Sequence, residues 1–267
     1  MQIAAILPSM VEIAHAAAEA IMDIYLSPQA KEREPTAAKV DGSPVTRADL
    51  AAHTLITSAL RALPEPLPVV SEEDAASHAF RAACGRFWLV DPLDGTREFM
   101  AGKDEFTVNI ALIEGSSPVA GVVAAPALGM IYYGAPGHGA WREGPDGHRR
   151  LTVSRPALHE PLRVIASRSH LDPFTERYLA QLGPHSLLQA GSSLKFCRIA
   201  EGSADLYPRF GPTCEWDVAA GHAVLRAAGG QVVALDGRPL AYGKADVTNP
   251  PFIATGGDIP AMETNLP

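Results

Sequence analysis

The segment WLVDPLDGTREFM, at residues 88–100, places two carboxylates three positions apart after an apolar run. A proline-constrained turn can aim consecutive oxygens to one side, so Asp91, Asp94 and the intervening Leu93 carbonyl could converge on hard divalent cations. Read without a ligand, the same residues make an ordinary turn, because Asp-Pro and Asp-Gly pairs both favour turns. The segment by itself favours neither reading.

Further acidic residues lie at the ends of other predicted elements. Glu72 and Glu73 follow a short strand predicted for PLPVV, and Asp217 opens the helix predicted for DVAAGHAVLRAAGG. Together they favour the metal-site reading of Asp91 and Asp94. Asp217 could also be a plain helix N-cap, although the positive end of a helix favours phosphate as well. Adjacent glutamates on an extended chain point in opposite directions, which makes Glu73 the weaker candidate.

Several other kinds of site are excluded by their signatures. An EF-hand counted from Asp91 needs an oxygen-bearing side chain, a glycine and a glutamate where this chain has Leu93, Thr96 and Gly102. The chain contains no G-x-S-x-G, H-E-x-x-H, G-x-G-x-x-G or Walker motif. Its three cysteines are widely spaced without a C-x-x-C pair, which predicts neither a disulfide framework nor a zinc site.

Composition limits the class of protein. With 267 residues and 47% hydrophobic content, the chain can bury a large core. Its net charge is −8 and its basic residues form no run longer than a doublet, so a nucleic-acid polymer is excluded as a partner, whereas an anionic small molecule is not.

The apolar segment at residues 1–26 lacks a basic start and is interrupted by Pro8 and charged residues. We therefore expect an amphipathic helix that packs onto the domain, and no transmembrane segment.

The elements that must position the acidic residues can be read from patterning. Thr46 and Asp49 stand at capping-box spacing before a helical pattern, and RFWLV predicts the strand that leads into Asp91. The polar segment at residues 27–44 predicts a mobile loop that could cover a site. Three further segments, FTVNIALI, PVAGVVAAP and MIYYGAPGHGAW, predict three strands of an antiparallel meander.

Beyond residue 150 strands and helices alternate. The strand segments are LRVIAS, ADLYPR and QVVAL, and the helical ones are residues 173–182, GSSLKFCRIAEG and DVAAGHAVLRAAGG. The last helix should stop at Gly229-Gly230. The chain is thus predicted to have an α+β half, residues 1–150, packed on an α/β half, residues 151–267, in one integrated unit.

Three blocks, SEED, WLVDPLDGTREFM and EWDVAAGHAVLRAAGG, resemble the signatures of the inositol monophosphatase superfamily of magnesium-dependent phosphatases. Within it, SPVTRADLAAH, FTVNIALI, SRSH, GSSLKF and LYPRFGP are most similar to bacterial 3′(2′),5′-bisphosphate nucleotidases of the CysQ type. The resemblance spans nearly the whole chain, from the first helix to NPPF. It implies a layered αβαβα sandwich.

The resemblance also implies two Mg²⁺ ions in each active site. Glu72, Asp91 and the Leu93 carbonyl would hold the first, and Asp91, Asp94 and Asp217 the second. The resemblance leaves open a third, weaker Mg²⁺ site near Glu72. The physical need is independent of the family, since a phosphate monoester dianion repels nucleophiles and metal ions neutralise it.

The remaining roles also follow from the resemblance. Asp49 and Thr96 would orient the attacking water, with Glu73 as a helper, although Asp49 could be no more than the acid of a capping box. The residues implied to contact substrate are Glu72, Leu93, Asp94, Gly95, Thr96, His170, Gly191, Ser192, Lys195 and Asp217.

Two of these residues would lie beside the nucleotide's second phosphate or its base. They are His170 and Lys195, which without the family would be a surface loop histidine and a solvated charge on a helix. Gly191, Ser192 and Ser193 open the helix that carries Lys195, and free N–H groups there would suit an anion.

The implied function is a magnesium-dependent phosphomonoesterase that converts adenosine 3′,5′-bisphosphate to AMP and phosphate, in sulfate assimilation in the cytoplasm. A second substrate would be 3′-phosphoadenylyl sulfate. The alternatives are an inositol monophosphatase, a sugar-bisphosphate phosphatase, and a catalytically silent metal- or nucleotide-binding regulator. A homodimer and a peripheral location on the inner face of the cell membrane are left open.

One residue departs from the family pattern. Glu215 lies close to Asp217, where it could alter metal affinity or face solvent.

Overall fold

The computed structural model describes residues 3–29, 33–39, 42–156, 160–168 and 172–257. The helices within these ranges are α1 (Ile3–Tyr25), α2 (Arg47–Arg61), α3 (Phe80–Ala83), α4 (Thr96–Met100), α5 (Pro173–Gln181), α6 (Leu194–Ala200) and α7 (Glu215–Ala227). The strands are β1 (Pro35–Ala38), β2 (Pro44–Thr46), β3 (Val69–Ser71), β4 (Arg86–Asp94), β5 (Thr107–Glu114), β6 (Ser117–Ala125), β7 (Met130–Ala135), β8 (Gly139–Gly144), β9 (Gly147–Leu151), β10 (Leu162–Ser167), β11 (His185–Ala190), β12 (Leu206–Arg209), β13 (Gln231–Ala234) and β14 (Phe252–Thr255). His170 lies outside the described residues.

The first large sheet has seven strands in sequence order from β3 to β9. β3 runs parallel to β4, and every later neighbour is antiparallel, so the predicted meander is confirmed. One prediction within it was wrong, because MIYYGAPGHGAW forms the two strands β7 and β8 rather than one. Gly137, at φ 83°, lies in the turn that reverses the chain between them.

The second sheet has five strands in the order β11-β10-β12-β14-β13. Its first three strands are parallel and its last two pair antiparallel with their neighbours. The sequence did not predict β11 or β14. Most of β11 is exposed, so it lacks the alternation that marks a half-buried strand, and β14 spans only four residues.

Two apolar cores lie on opposite faces of the first sheet. Along β4, Phe87 and Leu89 face the core that contains α6 and α7, whereas Trp88 and Val90 face the core that contains α1 and α2. α6 and α7 pack between the two sheets. On the far side of the second sheet, α5 packs on β10 and β12. These layers form the predicted αβαβα sandwich.

α1 is long and apolar enough to span a membrane by length and composition alone. A stripe along it, Met10, Ala14, Ala17 and Ile21, is completely buried. This stripe packs against α2 and the first sheet. α1 is therefore the amphipathic packing helix that the sequence predicted.

The polar segment at residues 27–44 is not a plain loop in its described part. β1 pairs antiparallel with β2, and the side chains of β1 are exposed. Patterning missed this pair because β1 has no buried face.

His222 gives a pH-dependent contribution to stability. It is 2% exposed on α7, its Nδ1 lies 2.8 Å from the Tyr242 hydroxyl, and burial lowers its pKa to about 3. The unfolded side chain binds protons with a pKa of about 6.5, so its contribution is complete above that pH and is lost as the pH falls toward 3. At about pH 5 the loss is about 2 kcal/mol.

We expect His222→Gln to reduce the difference in unfolding free energy between about pH 7.5 and pH 5 by this amount, measured by urea unfolding in EDTA. The exposed His138→Gln is the control. An unchanged difference in His222→Gln would show that the buried imidazole is not the group that titrates.

Candidate active site

β4 positions the first two predicted ligands differently from the sequence expectation. Asp91 and Asp94 lie within the strand rather than on a turn after it. The register against β5 shifts between them, because Asp91 pairs with Asn109 and Asp94 with Thr107. The extra residue on β4 makes a bulge, and bulges re-aim side chains at the ends of strands. Within it, the Leu93 N–H donates to Asp91 Oδ1 at 3.1 Å.

Three carboxylates converge at this end of the sheet. Glu72, Asp91 and Asp217 each offer an oxygen, and these oxygens all lie within 4.8 Å of one another. Burial raises the pKa of Asp91 well above its ordinary value, and the charges of Glu72, Asp94 and Asp217 raise it further. The pKa of Asp217 is raised in the same way, first by burial and then by Asp94. A divalent cation would offset this buried negative charge, and the oxygen donor set fits a hard one.

Asp94 lies beside these three carboxylates and faces the second half of the chain. Its Oδ2 accepts a hydrogen bond from Ser193 Oγ at 3.2 Å. Burial raises its pKa, and the nearby charge of Lys195 lowers it. Asp94 thus connects the acidic cluster to the start of α6.

Asp217 is not the N-cap of α7. Cys214 is the N-cap, Asp217 is the third residue of the helix, and Asp217 Oδ2 accepts the Cys214 N–H at 2.8 Å. Ser193 Oγ also donates to the Asp217 carbonyl at 2.7 Å. The side chain is therefore fixed at the helix N-terminus by the same geometry that holds the helix start.

Glu215 neither faces solvent nor belongs to the acidic cluster. It is fully buried, and its carboxylate accepts the N–H groups of Gly243 and Lys244 at 2.9 and 3.0 Å. The Lys244 ammonium pairs with it at 2.6 Å. Glu215 therefore anchors the loop before β14 onto the first turn of α7.

The two carboxylate oxygens of Asp49 accept hydrogen bonds from different residues. Oδ2 accepts the Thr46 N–H at 2.7 Å and the Thr46 hydroxyl at 2.6 Å, which completes the predicted capping box of α2. Oδ1 accepts the Thr96 hydroxyl at 3.0 Å. Burial raises the pKa of Asp49, and the hydrogen bonds from Thr46 and Thr96 partly offset this. The capping role and a role with Thr96 are thus compatible.

Lys39 reaches the acidic cluster from the described end of the β1 segment. Its Nζ donates to Glu72 at 2.5 Å and to Glu73 at 2.7 Å. Burial lowers the pKa of Lys39, but the two glutamates raise it more, so it lies above its ordinary value. The expectation that adjacent glutamates point apart was wrong, because they lie in a turn after β3 and not on an extended strand. A single lysine in a polar segment gives no sequence signal for this contact.

A cavity of about 270 Å³ opens beside the acidic cluster. Eight of the ten predicted substrate-contact residues line it, namely Glu72, Asp94, Gly95, Thr96, Gly191, Ser192, Lys195 and Asp217. Leu93 is buried and does not line it. At Gly95, φ is 90° and an added Cβ would lie 2.4 Å from Ser192 Oγ, so only glycine fits.

Lys195 is buried, so the reading as a solvated helix charge was wrong. It is 5% exposed, and its Nζ donates to the Ser192 carbonyl at 2.6 Å. Burial lowers its pKa to about 8, and the charge of Asp94 opposes this shift. The Gly191 N–H is also not free for an anion, because it donates to Glu105 Oε2 at 2.8 Å.

Arg209, at the end of β12, also lines the cavity and was not predicted from the sequence. Its guanidinium donates to the Gly211 and Pro212 carbonyls, and its charge lowers the pKa of both Lys195 and Asp217. The LYPRFGP motif contains it, so the motif could have indicated it.

Comparison with known proteins identifies the family. The model of the inositol monophosphatase family matches residues 4–263. The chain belongs to the inositol monophosphatase family. Among curated members, the 3′(2′),5′-bisphosphate nucleotidase CysQ of Salmonella typhimurium is 48% identical over 252 residues, which cover 93% of this chain and 99% of the relative. CysQ of Escherichia coli K12 is 48% identical over 238 residues, covering 88% and 93%.

Solved structures of family members share the architecture. CysQ from Bacteroides thetaiotaomicron, a bacterial member of the inositol monophosphatase family, superposes with a TM-score of 0.83 at 39% identity, covering 93% of this chain and 96% of that one. Inositol monophosphatase from Anabaena has a TM-score of 0.73 at 24% identity, covering 96% and 91%, and shares the fold. The predicted family and layered fold are confirmed. The family is generally metal-dependent, and the clustered carboxylates of this chain suit that chemistry.

Proposed function

We propose that the protein is a Mg²⁺-dependent 3′(2′),5′-bisphosphate nucleotidase that converts adenosine 3′,5′-bisphosphate to AMP and phosphate. The observation that carries the proposal is the cavity itself, which is lined both by the carboxylates of Glu72, Asp94 and Asp217 and by the cationic side chains of Lys195 and Arg209. Such a cavity suits a substrate with a reacting phosphate at a metal site and a second anionic group elsewhere. The CysQ relatives carry the name of this activity at 48% identity over most of the chain.

The proposed metal complement is two Mg²⁺ ions. Glu72, Asp91 and the Leu93 carbonyl would hold one, and Asp91, Asp94 and Asp217 the other. When bound, the ions would neutralise the reacting phosphate and activate water as the nucleophile. Roughly four carboxylates against two divalent cations leave a nearly neutral site that accepts an anion. A third ion near Glu72 stays a prediction.

The chain's own residues would orient the water. The Thr96 hydroxyl can donate its one proton to Asp49 Oδ1 at 3.0 Å or to the Leu93 carbonyl at 3.2 Å, and when it donates to Asp49 its lone pairs can accept from the water. Asp49 is itself fixed by Thr46, and it can receive a proton through the Thr96 hydroxyl. Glu73, paired with Lys39, is the proposed helper.

The second phosphate would bind near Lys195 and Arg209. The protein has a net charge of −8, so a local positive site is needed for a second anionic group. Two cationic side chains that line the cavity provide that charge. His170 stays a prediction, because it lies outside the described residues.

A monophosphate substrate separates this proposal from its rivals within the family. We expect Lys195→Ala to lower kcat/KM for adenosine 3′,5′-bisphosphate by about ten- to a hundredfold, since a charge-assisted contact to phosphate is worth roughly 1.5–3 kcal/mol. Inositol 1-phosphate, which has no second phosphate, should lose little. The measurement is phosphate release from both substrates, with the exposed Lys103→Ala as control.

Equal losses on both substrates would mean that Lys195 acts through the fold or the metal site. A wild-type preference for inositol 1-phosphate or for fructose bisphosphate would favour an inositol monophosphatase or a sugar-bisphosphate phosphatase. Absence of phosphate release with Mg²⁺ would favour the silent regulator.

The proposed setting is sulfate assimilation in the cytoplasm, with 3′-phosphoadenylyl sulfate as a second substrate. The division into halves at residues 1–150 and 151–267 is kept as a proposal, although α7 packs on the first sheet and joins the halves. A homodimer and a peripheral location on the membrane stay predictions.

A further inference from the structure

The turn before α6 has an unusual backbone. Ser192 has φ 48°, and it is the non-glycine residue with positive φ in the part of the chain that the structure describes. This conformation costs about 1 kcal/mol or more for an L-residue, so the surroundings must hold it. Ser192 Oγ lies 2.9 Å from the Asp94 carbonyl and 3.0 Å from the Glu105 carbonyl, which ties the turn to the first half of the chain.

Glu105 holds the same turn with its side chain. It lies in the loop between α4 and β5, and its Oε2 accepts the Gly191 N–H at 2.8 Å. Its other oxygen, Oε1, accepts Arg168 Nη2 at 3.0 Å. One carboxylate therefore connects the loop before β5, the turn before α6, and the segment that follows β10.

The backbone around this carboxylate is closely packed. A Cβ added to Gly191 would lie 2.7 Å from the Glu105 carbonyl, so the two segments touch directly. The Arg168 side chain is 44% exposed and that of Glu105 is 21% exposed, so the ion pair forms the outer side of the contact. The Gly191 contact forms its inner side.

The Gly191-Ser192 turn also positions Lys195. The Lys195 ammonium donates to the Ser192 carbonyl at 2.6 Å, and the charge of Glu105 also raises its pKa against the effect of burial. A displaced turn would therefore move the ammonium relative to Asp94. Glu105 has no place in the acidic cluster and does not line the cavity, so it acts on the site through this turn and through its charge near Lys195.

We propose that Glu105 is a positioning residue for the substrate's second phosphate, acting through the Gly191-Ser192 turn and the Arg168 ion pair. The proposal rests on the proposed nucleotidase function and deepens it. Glu105 sets where Lys195 meets the 5′-phosphate, and its side chain bonds Gly191 and Arg168 rather than the proposed metal ligands. AMP, the product, retains the 5′-phosphate, so its binding depends on the same turn.

The test compares Glu105→Gln and Glu105→Ala with wild type. The glutamine retains an oxygen for the Gly191 N–H and loses the charge opposite Arg168, whereas the alanine loses both. We expect KM for adenosine 3′,5′-bisphosphate and the inhibition constant of AMP to rise together, by about threefold for glutamine and about tenfold or more for alanine. The kcat and KM for inositol 1-phosphate should change by less than about twofold. Glu114→Gln, an exposed carboxylate at the other end of β5, is the control.

A double variant tests the route through Arg168. If Arg168 acts by holding Glu105, then Arg168→Gln should raise KM in the wild type and have little further effect in Glu105→Gln. Additive effects would mean that Arg168 meets the substrate by itself and would contradict the proposed route. Thermal melts of all variants accompany the kinetics.

The remaining outcomes separate the two proposals. A wild type that does not prefer the bisphosphate over inositol 1-phosphate contradicts the proposed function, and with it this role of Glu105. A wild type with that preference, combined with unchanged AMP inhibition in both Glu105 variants, contradicts the role of Glu105 alone. Equal losses on both substrates assign Glu105 to the fold or the metal site and also overturn the proposal. If Glu105→Ala fails to fold, the milder Glu105→Gln decides.

Discussion

Replacing Asp91 with asparagine is expected to lower kcat at saturating Mg²⁺ by about 10³-fold or more, while raising the melting temperature of the protein in EDTA. Asp91 is the proposed ligand shared by both metal ions, and a metal ion contributes several kcal/mol of charge stabilisation to the transition state. Each 1.36 kcal/mol corresponds to a factor of ten in rate. An amide is a poorer Mg²⁺ ligand than a carboxylate and also removes one negative charge.

The stability change should have the opposite sign for an electrostatic reason. Asp91 is 1% exposed, and burial together with Glu72, Asp94 and Asp217 raises its pKa well above its ordinary value. A carboxyl whose pKa rises on folding costs stability once the pH exceeds its unfolded value, so a neutral amide removes that cost near neutral pH. Asparagine also keeps the oxygen that accepts the Leu93 N–H.

Melts with EDTA and with Mg²⁺, together with turnover across a Mg²⁺ titration, check this prediction. Wild type should gain stability from Mg²⁺ by mass action, and Asp91→Asn should gain much less. The exposed Asp23→Asn on α1 is the matched control and should behave as wild type in both measurements. Full turnover of Asp91→Asn at high Mg²⁺ would remove Asp91 from the metal assignment.

Thr96→Val is expected to lower kcat by about a hundredfold with little change in KM for either substrate. Valine nearly preserves the shape of threonine but deletes the hydroxyl that donates to Asp49 Oδ1 at 3.0 Å. Positioned proton transfer contributes about 10²- to 10⁴-fold to rates. An interaction made mainly in the transition state affects kcat and leaves KM largely unchanged.

Two further variants make the Thr96 result specific. Thr96→Ser restores the hydroxyl and should recover most of the lost kcat. Thr57→Val removes another buried hydroxyl, one that donates to the His53 carbonyl within α2, and should leave kcat unchanged. If KM rises in Thr96→Val while kcat holds, Thr96 contacts substrate rather than water.

Local sequence patterns were sufficient for several elements. Patterning predicted the capping box of Thr46 and Asp49, the amphipathic stripe of α1 and the stop of α7 before Gly229. Each of these is set by residues that lie close together in the sequence. The three signature blocks also predicted the family, because their spacing of acids and small residues is highly specific.

Other features depended on neighbours that are distant in sequence. β11 has no hydrophobic alternation because it is largely exposed, and its pairing with β10 is set by the sheet rather than by its own side chains. Patterning cannot detect a strand of this kind. β1 also has no hydrophobic alternation, because it is exposed along its whole length, although its partner β2 follows closely in the sequence.

By itself the sequence determined which carboxylates are available, Glu72, Asp91, Asp94 and Asp217, and which elements carry them, because side-chain chemistry and short-range periodicity are local properties. Only the tertiary structure decided which oxygens lie within 4.8 Å of one another, and that Lys39 pairs with both Glu72 and Glu73. It also decided that Lys195 is buried and that the Glu105 carboxylate accepts the hydrogen bond from the Gly191 N–H. These contacts join residues 19 to 145 positions apart, and their geometry depends on how the two sheets and the helices between them pack.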